Sequence, residues 1–171
     1  MKSTVWYRID ALAKNLTPFG ITLILVLIGV VPLFLPVYAR VAPLLPVMAV
    51  YHWAMHRPRL LPAYAVFLIG FLQDVLTGMP IGVNVVVFLT IYGVVVSQRQ
   101  FFAGKSFLIS WLGFALVAAG AAVESWLLVS AIHVTMVDAR AVLVQYLVTL
   151  GCFPVFAWFF LSWQRSVLGQ G

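Results

Sequence analysis

The chain has 171 residues, 64% of them apolar and only 8% charged, with ten Lys or Arg against four Asp or Glu, a net charge of +6 and a mean hydropathy of +1.12. A soluble domain carries about 25% charge, and a folded chain of this size still exposes roughly a third of its unfolded surface, which here would be mostly hydrocarbon. The solvent must be lipid, which excludes a secreted disulfide scaffold, a disordered chain and a free cytosolic enzyme.

Residues 1–17, with Lys2, Arg8 and Lys14, read as a cytoplasmic tail. Apolar stretches follow at about 19–38, 41–56, 60–77, 81–97, 106–134 and 141–163, which predicts a single all-α membrane domain, a polytopic bundle of six transmembrane helices. About 20 residues are needed to cross a 30 Å hydrocarbon layer. The second and fourth stretches are short, so they should stop part-way, pack inside the bundle or thin the lipid, while the long fifth should tilt or protrude. If the fourth, opened by Gly78, Pro80 and Gly82, does not cross, five spans remain. The lone Cys152 can form no internal disulfide.

The cations flank the apolar runs instead of forming one patch, so no nucleic-acid partner is expected. With six crossings, Lys2, Arg8, Lys14, Arg57, Arg59, Arg99, Lys105 and Arg165 fall on one side and only Arg40 and Arg140 on the other. By the positive-inside rule both termini are cytoplasmic.

The residues that lipid should reject are the informative ones. Gly70, Asp74 and Thr77 share one helical stripe, and Gly78, Pro80 and Gly82 then break the helix ahead of Asn84. A carboxylate at mid-membrane costs about 2.5 to 3.5 kcal/mol on insertion scales. Asp74 therefore closes a periplasmic turn by pairing with a nearby amide, makes a packing or partner contact, or takes part in proton or substrate chemistry. Glu124 follows an Ala- and Gly-rich run with Gly113 and Gly120 near its face, where small residues let another backbone approach. Counted from the cytoplasmic side, Asp74 and Glu124 both fall towards the outer surface, where they could share a layer with Asn84, His133, Arg40 and Arg140. No nucleophile setting or phosphate loop is present. His52 and His56 have a metal-compatible spacing but no third ligand, so neither metal nor cofactor is expected. Both histidines, Trp53, Trp158 and Trp163 read as headgroup-level anchors.

The order Trp53, Arg57-Pro58, then Gly70-x3-Asp74-x3-Gly78-x-Pro80-Ile81-Gly82, then Arg99-Gln100-Phe101-Phe102 and the late Pro154, resembles the MreD family of rod shape-determining membrane proteins. The resemblance implies a non-enzymatic inner-membrane scaffold of the elongation machinery. Its expected partners are the MreC transmembrane helix, RodA, the elongation transpeptidase and MreB, with anionic lipid against its basic loops. Arg57, Pro58, Gly70, Asp74, Gly78, Pro80, Gly82, Asn84, Gly120 and Glu124 are the expected partner-contact or structural positions. The resemblance also implies a layout similar to the substrate-binding subunits of energy-coupling-factor transporters. The alternative function is accordingly a small-molecule-binding subunit with a cavity between Asp74, Asn84 and Glu124.

Overall fold

Backbone amides inside a bilayer find no water, so an apolar run must close its own hydrogen bonds, and a helix does this within one segment. The computed structural model describes residues 2–30, 43–102, 104–134 and 138–168, and among them are six α-helices and no strand. They are α1 (Lys2–Val30), α2 (Leu45–His56), α3 (Ala63–Thr77), α4 (Val83–Phe102), α5 (Phe107–His133) and α6 (Ala139–Leu168). Three stretches among the described residues are long and apolar enough to cross a membrane, namely Val83–Phe102, Phe107–His133 and Ala139–Trp163.

The short α2 is the centre of the bundle. Its 12 residues measure about 18 Å, well short of a ~30 Å hydrocarbon layer, so a crossing there has to be completed by its flanking turns or by thinned lipid, and Leu45 to Ala54 are all buried. It packs against α1, α4 and α6. Tyr51 and Phe114 meet edge to face at 5.2 Å, and Phe114 stacks on Phe153 at 4.0 Å, which ties α2, α5 and α6 through one aromatic cluster. The enclosure of α2 corrects the expectation for Trp53 and His52. Trp53 is 0% exposed and His52 is buried, stacked between His56 and Phe160, so neither anchors at headgroup level. Trp158 and Trp163 on α6 are exposed.

Two glycines let helices approach closely. A Cβ on Gly70 would lie 2.7 Å from the Val85 Cα, so α3 and α4 are in backbone contact there. One on Gly113 would lie 2.8 Å from the Phe102 ring and 2.9 Å from the Tyr51 hydroxyl, which itself donates to the Ser110 carbonyl at 2.8 Å. Side-chain hydrogen bonds to backbone hold α5 to α6. The Trp111 indole donates to the Leu150 carbonyl (3.2 Å) and the Tyr146 hydroxyl to the Ala115 carbonyl (3.0 Å). Leu150 is four residues before Pro154, which has no N–H to give it.

The first helix differs most from the sequence reading. Residues 2–17, expected as a tail, are helical, and Pro18 lies inside α1 instead of preceding it. Val5, Ile9, Leu12 and Leu16 recur at the 3.6-residue period of an amphipathic helix, a weaker signal than the apolar run after it. Residues 31–38 of the expected first span, and Arg40, lie outside the described residues.

Candidate functional site

Asp74 occupies the last turn of α3 and is 0% exposed. The chain must reverse just beyond it, and two glycines in the left-handed region make the reversal: Gly78 at φ +66° caps α3, and Gly82 at φ +108° precedes α4. Other residues are strained at such angles. The Asp74 carbonyl accepts the N–H groups of Gly78 and Met79, and Pro80 starts the next turn with its carbonyl accepting from Val83 at 3.2 Å.

The side chain of Asp74 completes the reversal from within. Its Oδ2 accepts the Gly82 N–H at 2.8 Å, and its Oδ1 accepts both the Asn84 N–H at 3.0 Å and the Asn84 side-chain amide at 2.9 Å. The first N–H groups of a helix have no partner within it, and the helix dipole places positive potential there. One carboxylate thus satisfies the start of α4 while α4 satisfies the carboxylate, which is the condition for burying a charge-bearing group. Gly70, one turn earlier on the same stripe, provides the backbone contact that keeps α3 close enough. Gly70, Asp74, Gly78, Pro80, Gly82 and Asn84 are therefore one assembly, and it is internal to the chain.

Glu124 stands apart from it. Its Oε1 accepts the Thr90 hydroxyl at 3.0 Å, which links α5 to α4. Thr90 lies six residues beyond Asn84 on α4, about 9 Å deeper, and Glu124 lies nine residues before the α5 terminus at His133, about 14 Å inside the helix end. The two carboxylates are therefore offset along α4, and α5, with 27 residues, is about 40 Å long and extends well beyond Glu124. His133 bonds its own helix at the Val129 carbonyl, and the Arg140 N–H bonds Asp138. Gly120 is exposed, and a Cβ there would meet nothing within 4 Å.

At the other end, Arg57 follows α2, its N–H donating to the Trp53 carbonyl at 2.8 Å. The Pro58 carbonyl accepts the Tyr92 hydroxyl at 3.2 Å, so α4 fixes this turn. Among the described residues no group of three His, Cys, Asp or Glu side chains could hold a metal. Thr90 and Trp111 carry interhelical bonds, and Tyr92 a bond from α4 to the turn after α2, that no motif in the sequence marks. Only Trp111 has an indirect signal, since Pro154 announces an unfilled carbonyl four residues earlier.

These features define a small helical integral membrane protein in which the carboxylates of Asp74 and Glu124 bind groups of its own chain. The family model of the rod shape-determining protein MreD matches residues 12–162, nearly the whole length, and the chain belongs to that family. No curated protein and no solved structure matches it significantly.

Proposed function

We propose that the chain is a non-enzymatic scaffold in the bacterial inner membrane, crossing it with six helices and both termini cytoplasmic. It holds the transmembrane helix of MreC and thereby helps RodA, the elongation transpeptidase and MreB direct lateral peptidoglycan synthesis. The observation that carries this reading is the outward face of α5. Leu112, Leu116, Gly120, Val123 and Leu127 are all exposed and recur at helical spacing, with Gly120 at the centre and open. An exposed glycine costs a helix about 1 kcal/mol relative to alanine. Between Leu116 and Val123 it leaves a notch in this face into which another backbone can pack, which is how helices associate in lipid. The orientation is supported by the cations gathered at the end carrying Arg57, Arg59, Arg99 and Lys105.

Gly120→Leu should abolish co-purification with MreC and round the cells while the protein remains as stable as wild type. Gly93→Leu, which adds equal bulk at an exposed, open glycine of α4, should do neither. Wild-type MreC recovery with Gly120→Leu would contradict the proposal. A transporter-like cavity draws no support from the geometry, because Asp74 is enclosed with both oxygens engaged and Glu124 bonds Thr90.

A further inference from the structure

The basic end of the bundle carries two recesses that meet at His56. One, of about 250 Å³, is lined by His56, the turn from Arg57 to Leu60, and Arg99 on α4. The other, of about 180 Å³, runs between α2, α5 and α6; Lys105 and His56 lie in its wall beside Phe153, Ala157 and Leu161. Neither lining contains an acidic residue. Arg57, Arg59 and Arg99 are exposed, and the Tyr92–Pro58 hydrogen bond fixes the turn that presents the first two. Three arginines line one concavity, which shares His56 with a slot lined by apolar residues of α6, and together they form an amphipathic site.

We infer that this double recess binds an anionic phospholipid, with its phosphate among Arg57, Arg59 and Arg99 and the upper part of its acyl chains against Phe153, Ala157 and Leu161. Arginine presents a planar fork of donors that matches phosphate oxygens in pairs. A free phosphate would use the cationic half alone and gain nothing from the apolar wall. The site also lies where headgroups lie, beyond the ends of apolar helices, and anionic lipid is attracted to cations at that level. The inference rests on the reading of this end as interfacial and is independent of the MreC contact.

The test uses the full chain in nanodiscs or neutral detergent, with phosphatidylglycerol and phosphatidylcholine supplied equally and retained lipid measured by native mass spectrometry. The wild type should retain phosphatidylglycerol selectively. Arg57→Gln with Arg99→Gln should lower that retention roughly fivefold per arginine. Arg140→Gln with Arg165→Gln removes the same charge outside both linings and should leave retention unchanged. Arg59→Gln with Arg99→Gln repeats the test without touching the α2 cap. Equal losses from the two charge-matched pairs, equal retention of the two lipids, or displacement of the lipid by millimolar inorganic phosphate would each overturn the site. Recovery of MreC with the Arg59→Gln, Arg99→Gln pair should match wild type, so failure here and failure of the scaffold reading are separate results.

Discussion

The Trp111 indole N–H points at the Leu150 carbonyl from 3.2 Å, and Pro154 is the reason that carbonyl is free. A proline inside a helix removes the donor four residues on, and in lipid no water replaces it. The tryptophan of the neighbouring helix does. Trp111→Phe should therefore cost about 1 kcal/mol in equilibrium unfolding in detergent. The same change in a Pro154→Ala background, where the substituted residue supplies the missing N–H, should cost clearly less. Equal costs in both backgrounds would remove the link between the two residues.

The Asp74 assembly predicts an order of damage. Asn84→Ala removes one of three donors and should cost about 1 kcal/mol. Asp74→Asn puts an amide N–H against backbone donors and should cost more. Asp74→Leu leaves every donor unmet and should be the worst, with low yield and a large fall in melting temperature. A stability series in one detergent checks the ranking.

Glycines that are chemically alike should respond in opposite ways. Gly70→Ala drives a Cβ into the Val85 backbone at 2.7 Å and should cost about 1 to 3 kcal/mol. Gly151→Ala, on the exposed part of α6 with nothing within 4 Å, should be neutral or stabilise by up to about 1 kcal/mol. Thermal unfolding of the two variants side by side separates close packing from mere helix propensity.

The Thr90–Glu124 contact is partly exposed, and its contribution should be small. Glu124→Gln keeps an acceptor for the Thr90 hydroxyl and should retain wild-type stability, while Glu124→Leu should lose about 0.6 kcal/mol. A double-mutant cycle with Thr90→Val should return a coupling of that size.

Much of this architecture is legible in the sequence for a physical reason. Apolar runs bounded by charges and glycines can only be helices in lipid, so the six helices and the break at Gly78, Pro80 and Gly82 stand out. The donors that surround Asp74 are close in sequence, and a turn-closing role is among the readings its setting allows. What hides is what depends on three-dimensional neighbours. Nothing in the sequence around Trp53 distinguishes an interfacial anchor from a core residue, because enclosure of α2 comes from the other helices. The depth of Glu124 follows from where α5 ends, and its pairing with Thr90 joins residues 34 positions apart. The helical residues 2–17 hide because their period is helical but their composition is not that of a span.

Site-directed crosslinking to MreC tests the scaffold reading most directly. In a Cys152→Ala background, single cysteines at Leu116 and Val123, both on the outward face of α5, should form disulfides or short bifunctional crosslinks with a cysteine in the MreC transmembrane helix. Cysteines at Leu68 on α3 and Val155 on α6, equally open to lipid, should not. Crosslinks confined to Leu68 or Val155, with none along α5, would contradict the account.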